Sequence, residues 1–340
     1  MSLNRAFLKE ATKNGIITAQ QAEQLFDLLE KRHQNSPEFR TSNVLYYFGG
    51  MIAIGAMSLF MTLGWETFGG MGLFTVSVVY ALVGILLTEF FLKRKELYIP
   101  AGISATFSLV LVPLAIYGLQ VAMGAWAEGR VYRDYHIWID WRWLLMELST
   151  LAGGAILLWR YSLPFLVMPI AVTLWYMSMD LTPFLFEDSF EWRAFVSIWF
   201  GLLMIVIALW VDLRTKRIQD FSFWLYLFGV LAFWGGLSSM NSDSELNKFF
   251  YLCINVGMIL IGAMLSRRVF TVFGGLGASG YIGHLAYGIF KDSLLFPFVL
   301  TMLGFGIVFF GVFWQRHEES FNRKLKQLLP KEWQELLDRE

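Results

Sequence analysis

The feature that most constrains the fold is a series of ten apolar segments, each bounded by charged or polar residues. A helix of about 20 apolar residues crosses the hydrocarbon core of a bilayer. Because backbone polar groups inside a bilayer must be hydrogen-bonded within the protein, we expect each segment to be a helix. The segments lie at 44–64, 71–92, 97–122, 143–160, 163–180, 193–211, 221–240, 248–266, 269–290 and 294–315.

The composition is typical of a membrane protein and excludes several other classes. The 340 residues are 56% hydrophobic and 16% charged, whereas soluble domains carry about 25% charged residues. The formal net charge is +0, so we expect the lipid bilayer, and no nucleic acid, as a partner. The single cysteine, Cys253, excludes an intramolecular disulfide and a multi-cysteine metal site.

Charges in the loops predict how the helices are oriented. Alternate loops are basic, and the loops between them are more acidic and aromatic. Because basic loops stay on the cytoplasmic side, we expect both termini to be cytoplasmic, which requires an even number of spans. Ten is therefore the expected count, with nine and eleven as alternatives. The basic loops contain Lys93-Arg94-Lys95, Arg160, residues 214–217 and Arg267-Arg268.

The predicted fold is an all-α, polytopic transmembrane helix bundle of about ten spans, with short cytoplasmic helices at both ends. Residues 1–37 are expected to form a helical hairpin and linker, in which Thr18 and Gln21 fit a capping box. The transmembrane bundle is expected over 43–315. Residues 316–340 are expected to form an amphipathic cytoplasmic tail, which lies on the inner membrane surface or packs against the hairpin.

Polar residues inside the predicted spans are the candidate functional residues, because ionisable groups at membrane depth are costly. In the predicted orientation they lie in the outer half of the membrane and could share a proton or bind a cation. The alternative is that they only form hydrogen bonds between helices. Glu89 is instead expected to pair with Lys93, four residues later on the same helix. The candidate site residues are Glu147, Asp180, Asn255, Tyr281 and His284.

The ninth segment is unusually rich in glycine. Glycines let neighbouring membrane helices approach closely, and Gly275, Ser279 and Gly283 recur at every fourth residue. The spacing of Gly275, Gly277 and Gly280 also matches a dinucleotide-binding pattern, but that pattern needs a preceding strand. We therefore expect helix packing. The glycines assigned to it are Gly275, Gly277, Gly280 and Gly283.

Three parts of the chain resemble a bacterial family of predicted integral-membrane proteins that contain a domain of unknown function. The first is the stretch from Asn14 to Ala22 within the N-terminal hairpin, which contains Gly15-Ile16-Ile17, and the second runs from Arg267 to Ser293. The closing Leu329-Pro330 with Trp333 is also similar. The resemblance implies a bacterial cytoplasmic (inner) membrane location with multiple spans, and it implies no activity.

Two functions are consistent with this pattern. The first is a transporter of a small solute, with its polar site in the outer half of the membrane. The second is a non-transporting scaffold or sensor that recruits a cytoplasmic protein partner through the hairpin. An intramembrane enzyme is less favoured, because no nucleophile–base pair, metal motif or cofactor motif is present. No cofactor and no metal are expected.

Overall fold

The protein is all-helical in a computed structural model. Between residues 41 and 285, the described part of the chain contains nine α-helices and one 3-10 turn, and no strand. The structure describes residues 12, 15–25, 41–64, 68–95, 97–126, 141–185, 189–214, 220–240, 244–265, 267–285, 298, 301–302, 304–305 and 309.

The helices follow one another in chain order, and the 3-10 turn Pro164–Leu166 leads directly into the fifth. The helices are α1 (Thr41–Gly64), α2 (Gly69–Lys95), α3 (Tyr98–Ala122), α4 (Trp141–Tyr161), α5 (Val167–Leu185), α6 (Phe190–Arg214), α7 (Ser222–Ser239), α8 (Glu245–Met264) and α9 (Arg268–His284).

Six helical segments in the described residues are long and apolar enough to cross a membrane, judged by length and composition. A helix lies in each of the first nine predicted apolar segments. Most of the tenth, at 294–315, falls outside the described residues. The all-helical class is therefore confirmed for the described residues, with six helices able to span a membrane, and the count of ten stays a prediction. The six segments are Gly69–Arg94, Tyr98–Ala122, Pro164–Thr182, Phe190–Arg214, Ser222–Ser239 and Glu245–Met264.

Apolar side chains cover the outer surfaces of these helices. Leu86 and Trp159, for example, are 68% and 85% exposed. In water such exposure would be unfavourable, but lipid chains are as apolar as a leucine side chain. The helices must therefore be held together by close packing and hydrogen bonds rather than by burial of apolar area alone.

The helices divide into two compact units. The first consists of Met1–Asp180 with Lys216–Trp224, and the second of Leu181–Thr215 with Leu225–Glu340. In the first unit α3 is central and packs against α1, α2 and α4.

Glycine allows α2 and α3 to cross closely in the first unit. A Cβ on Gly118 would lie 2.6 Å from the backbone nitrogen of Phe74 and 2.8 Å from the carbonyl oxygen of Gly70. Farther along the same helix pair, the Ser108 hydroxyl donates to the Ala81 carbonyl oxygen at 2.9 Å. Small residues and a buried hydroxyl thus hold the two helices together, as is common in membranes.

The second unit uses the same chemistry between α6 and α7. A Cβ on Gly201 would lie 2.6 Å from the carbonyl oxygen of Gly229. The Ser197 hydroxyl donates to the Ala232 carbonyl oxygen at 2.8 Å. The buried core of this unit also includes residues of α8 and α9, and its members are Ala208, Tyr226, Val230, Met258 and Phe270.

Glu89, near the end of α2, forms the ion pair with Lys93 that the sequence predicts. The same carboxylate lies 3.5 Å from Arg160 Nη2. It also accepts a hydrogen bond from the Tyr161 hydroxyl at 2.9 Å. The pair expected within one helix is therefore part of a cluster that also connects α2 to α4.

A short part of the predicted N-terminal hairpin is described. The Thr18 backbone N–H donates to Gln21 Oε1 at 2.9 Å, and the Gln21 N–H donates to Thr18 Oγ1 at 3.2 Å. This confirms the capping box, and residues 19–25 are helical. Most of the predicted hairpin and linker at 1–37, and the whole tail at 316–340, lie outside the described residues.

Candidate functional site

The first unit contains a pair of acidic side chains, the buried Glu147 and the half-buried Asp180. Glu147 lies on the face of α4 that also buries Met146, Thr150 and Gly154, and it is 7% exposed. Asp180 lies near the end of α5. The two carboxyl groups are close enough to form a hydrogen bond. The structure therefore brings together two of the candidate site residues predicted from the sequence.

A contact between two carboxyl groups restricts their protonation. An ionised carboxylate only accepts hydrogen bonds, so a hydrogen bond between Glu147 and Asp180 requires a proton. Two ionised carboxylates side by side in apolar surroundings would repel each other. The Oε2 atom of Glu147 is also buried and has no hydrogen-bond partner among the described residues. The pair can therefore hold a proton and still offer one acceptor oxygen.

Polar and aromatic side chains meet at the same end of α4. Trp126 Nε1 donates to Gln120 Oε1 at 3.0 Å, and Gln120 Nε2 donates to the carbonyl oxygen of Arg142 at 3.1 Å. The Arg142 guanidinium lies over the rings of Trp126 and Trp141, at 5.2 and 5.9 Å from their centroids. These contacts connect the end of α3 to the start of α4, five residues before Glu147.

In the second unit, the candidate residue Asn255 lies where α8 and α9 cross. Its side chain is 0% exposed, and its Nδ2 donates to the Tyr251 carbonyl oxygen at 2.8 Å. Its Oδ1 is buried without a hydrogen-bond partner in the described part of the chain. A Cβ on Gly277 would overlap the Asn255 carboxamide. Gly277 thus leaves the space that the asparagine fills.

The four glycines assigned to packing of α9 do not share one environment. Gly277 faces α8, as does Gly274, where a Cβ would lie 2.5 Å from the Asn255 carbonyl oxygen. The close crossing therefore uses the face formed by Phe270, Gly274 and Gly277. It does not use the repeat of small residues formed by Gly275, Ser279 and Gly283. The glycines at which a Cβ would meet no described atom within 4 Å are Gly275, Gly280 and Gly283.

His284, at the end of α9, lies beside the first turn of α8. Its Nε2 is 3.4 Å from each carboxylate oxygen of Glu245. Lys248 Nζ donates to the same carboxylate at 2.7 Å. The Tyr281 ring centroid lies 6.5 Å from that of His284. The cluster is partly exposed, since 35% of the His284 side chain and 53% of the Glu245 side chain are accessible.

Glu245 was not among the residues predicted for the site. The sequence signal for it is weak, because an acidic residue in the first turn of a helix is favoured by the helix dipole alone. Its contact with His284 joins residues 39 positions apart. Spacing within one helix cannot indicate such a contact.

The five candidate residues separate into two groups. Glu147 and Asp180 meet in the first unit, whereas Asn255, Tyr281 and His284 belong to the second. Within the second unit, Asn255 lies ten residues after Glu245, the residue that contacts His284. Ten residues correspond to a rise of about 15 Å along α8. Asn255 and His284 therefore lie at different levels of that helix pair. Among the described residues, no group of three His, Cys, Asp or Glu could hold a metal ion.

These features define an all-helical membrane protein with buried acidic and amide side chains between its helices. Comparisons of the chain with protein-family models, curated proteins and solved structures give no match. The resemblance to a bacterial membrane family stays a prediction.

Proposed function

We propose that the protein is a transporter of a small solute in the bacterial inner membrane, with a proton-carrying site at Glu147 and Asp180. The observation that carries this proposal is the contact between the buried carboxyl group of Glu147 on α4 and the half-buried one of Asp180 on α5. Acidic side chains within membrane-spanning helices are costly to bury, and in membrane proteins they commonly mark ion or substrate pathways.

The location of the two residues on different helices supports coupling between proton binding and helix motion. When α4 and α5 are close, Glu147 and Asp180 share one proton, because a hydrogen bond between two carboxyl groups requires one. Separation of the helices would expose each group to a different environment and release the proton. A solute that binds one arrangement better than the other would then be coupled to the proton.

Glu147→Gln and Asp180→Asn are expected to abolish the dependence of transport on a proton gradient. Each change keeps a similar shape but removes an ionisable group from the pair. The measurement is uptake of a library of small metabolites into proteoliposomes, with an imposed proton gradient and without one. We expect the gradient to accelerate uptake of at least one solute by the unmodified protein, and the acceleration to fall about tenfold in each variant.

Glu191→Gln is the matched control, since Glu191 is an exposed carboxylate in the first turn of α6. It should leave both uptake and its gradient dependence unchanged. If the Glu147→Gln and Asp180→Asn proteins both transport with normal gradient dependence, the assignment of a proton-carrying site to these residues is wrong. If the unmodified protein moves no solute in the library, the proposal of a transporter loses its support.

A scaffold or sensor is the second candidate function, and one observation favours it. The described part of the N-terminal hairpin exposes apolar side chains, with Ile16 73% and Leu25 40% accessible. Such residues beside a capped helix could contact a cytoplasmic partner.

Deletion of residues 2–33 tests this candidate. The truncated protein should stay in the membrane but no longer capture a cytoplasmic protein that the full-length chain captures, because the recruiting surface has been removed. Affinity capture followed by mass spectrometry compares the two proteins. Identical captured proteins, with both forms correctly inserted, would contradict the recruiting role.

A further inference from the structure

One end of the first unit carries exposed cations that a single carboxylate holds in place. Lys93 at the end of α2 and Arg160 at the end of α4 both pair with Glu89. Their side chains nevertheless stay 70% and 59% exposed, respectively, whereas that of Glu89 is 24% exposed. Among the described residues, the two cations that pair with Glu89 outnumber it, so the cluster of Glu89, Lys93 and Arg160 has an excess of positive charge directed to the surface.

Aromatic side chains accompany these cations. The Arg160 guanidinium lies 5.3 Å from the centroid of the Tyr161 ring, and the Tyr161 hydroxyl donates to Glu89. Trp159, the preceding residue, is 85% exposed. Tryptophan and tyrosine prefer the headgroup level of a bilayer, where one part of the ring is apolar and the other wet. Cations beside such aromatic side chains are therefore expected at the depth of lipid headgroups.

We propose that this end of the first unit binds the phosphate group of an anionic phospholipid. The planar guanidinium of Arg160 can donate two hydrogen bonds to a phosphate, and Lys93 supplies a second positive charge. Glu89 orients both groups from the protein side and leaves their outer surfaces accessible. The positive charge favours an anionic headgroup over a zwitterionic one.

The surroundings of the cluster favour a lipid over a soluble phosphate compound. Phe90, next to Glu89, is 41% exposed, and Trp159 is more exposed still. Apolar surface beside the cations provides a place for acyl chains, which a soluble phosphate compound lacks. The proposed site is independent of the transport proposal, because it shares no residue with the Glu147–Asp180 pair.

The test is a titration of the full-length, detergent-solubilised protein with phosphatidylglycerol, followed by native mass spectrometry. Glu89→Gln removes the carboxylate and keeps both cations, so it should retain lipid binding. The triple variant Glu89→Gln/Lys93→Gln/Arg160→Gln removes the whole cluster without leaving an unpaired charge. We expect it to bind phosphatidylglycerol on the order of tenfold more weakly than the Glu89→Gln protein.

The double variant Arg214→Gln/Arg268→Gln removes two exposed cations of the second unit and controls for a general loss of positive charge. It should bind phosphatidylglycerol like the unmodified protein. Elution volume and melting temperature verify that each variant is folded. Equal affinity of the triple variant and Glu89→Gln would overturn the proposal. Equal affinity of the unmodified protein for phosphatidylcholine would also overturn it. Competition by glycerol phosphate as strong as that by phosphatidylglycerol would show a site for soluble phosphates instead.

Discussion

The Gly277→Ala protein is expected to lose about 3 kcal/mol of stability or more, although only one methyl group is added. The new Cβ would overlap the side chain of Asn255, which is fully buried and cannot move into solvent. Inserting atoms into a well-packed crossing forces side chains off their rotamers or pushes the helices apart. The measurement is the melting temperature and the denaturant midpoint of the protein in detergent.

Gly275→Ala is the matched control, because it makes the same change two residues away, where a Cβ would meet no described atom within 4 Å. Alanine is favoured over glycine in a helix by about 1 kcal/mol in water, so this variant should be as stable as the unmodified protein or more stable. Asn255→Ala should partly restore the stability of the Gly277→Ala protein, since it removes the carboxamide that the new Cβ overlaps. Equal stability of the two glycine variants, or no rescue, would contradict the described crossing of α8 and α9.

Arg267→Gln is expected to have the second-largest effect, also about 3 kcal/mol. Arg267 Nη2 donates to both carboxylate oxygens of Asp212, at 2.9 and 2.7 Å, and its guanidinium lies 5.4 Å from the centroid of the Tyr226 ring. The two charged side chains are 19% and 15% exposed. The substitution leaves the largely buried Asp212 carboxylate without a positively charged partner. Thermal unfolding in detergent measures the loss.

Arg268→Gln provides the comparison, because Arg268 is the next residue and is exposed. It should change stability by less than about 0.5 kcal/mol, as surface substitutions usually do. The double variant Asp212→Asn/Arg267→Gln should be more stable than Arg267→Gln alone, since neither charge is then buried by itself. If Arg267→Gln and Arg268→Gln unfold at the same temperature, the ion pair contributes little to the fold.

Contacts between neighbours in the chain were predictable from the sequence. The capping box of Thr18 and Gln21 and the pair of Glu89 with Lys93 are both present. Each joins residues three or four positions apart, which share one face of a helix whatever surrounds it. Local geometry is therefore sufficient to predict them.

The candidate site was predictable only in part. Polarity within apolar segments singled out Glu147, Asp180, Asn255 and His284. The contact between Glu147 and Asp180 joins residues 33 positions apart, and their depth in the membrane does not determine whether they touch. The partner of His284, Glu245, lies at a helix end where an acidic residue is expected in any case.

The sequence by itself determined that the protein is helical and membrane-spanning, because the length and apolar character of a segment are sufficient for this conclusion. The tertiary structure alone decided which face of each helix meets a neighbour. In a membrane the lipid-facing side of a helix is as apolar as the buried side, so hydrophobic periodicity does not reveal its rotation. For that reason, the sequence could not show that Gly277, rather than Gly275, contacts Asn255, or that Arg267 pairs with Asp212.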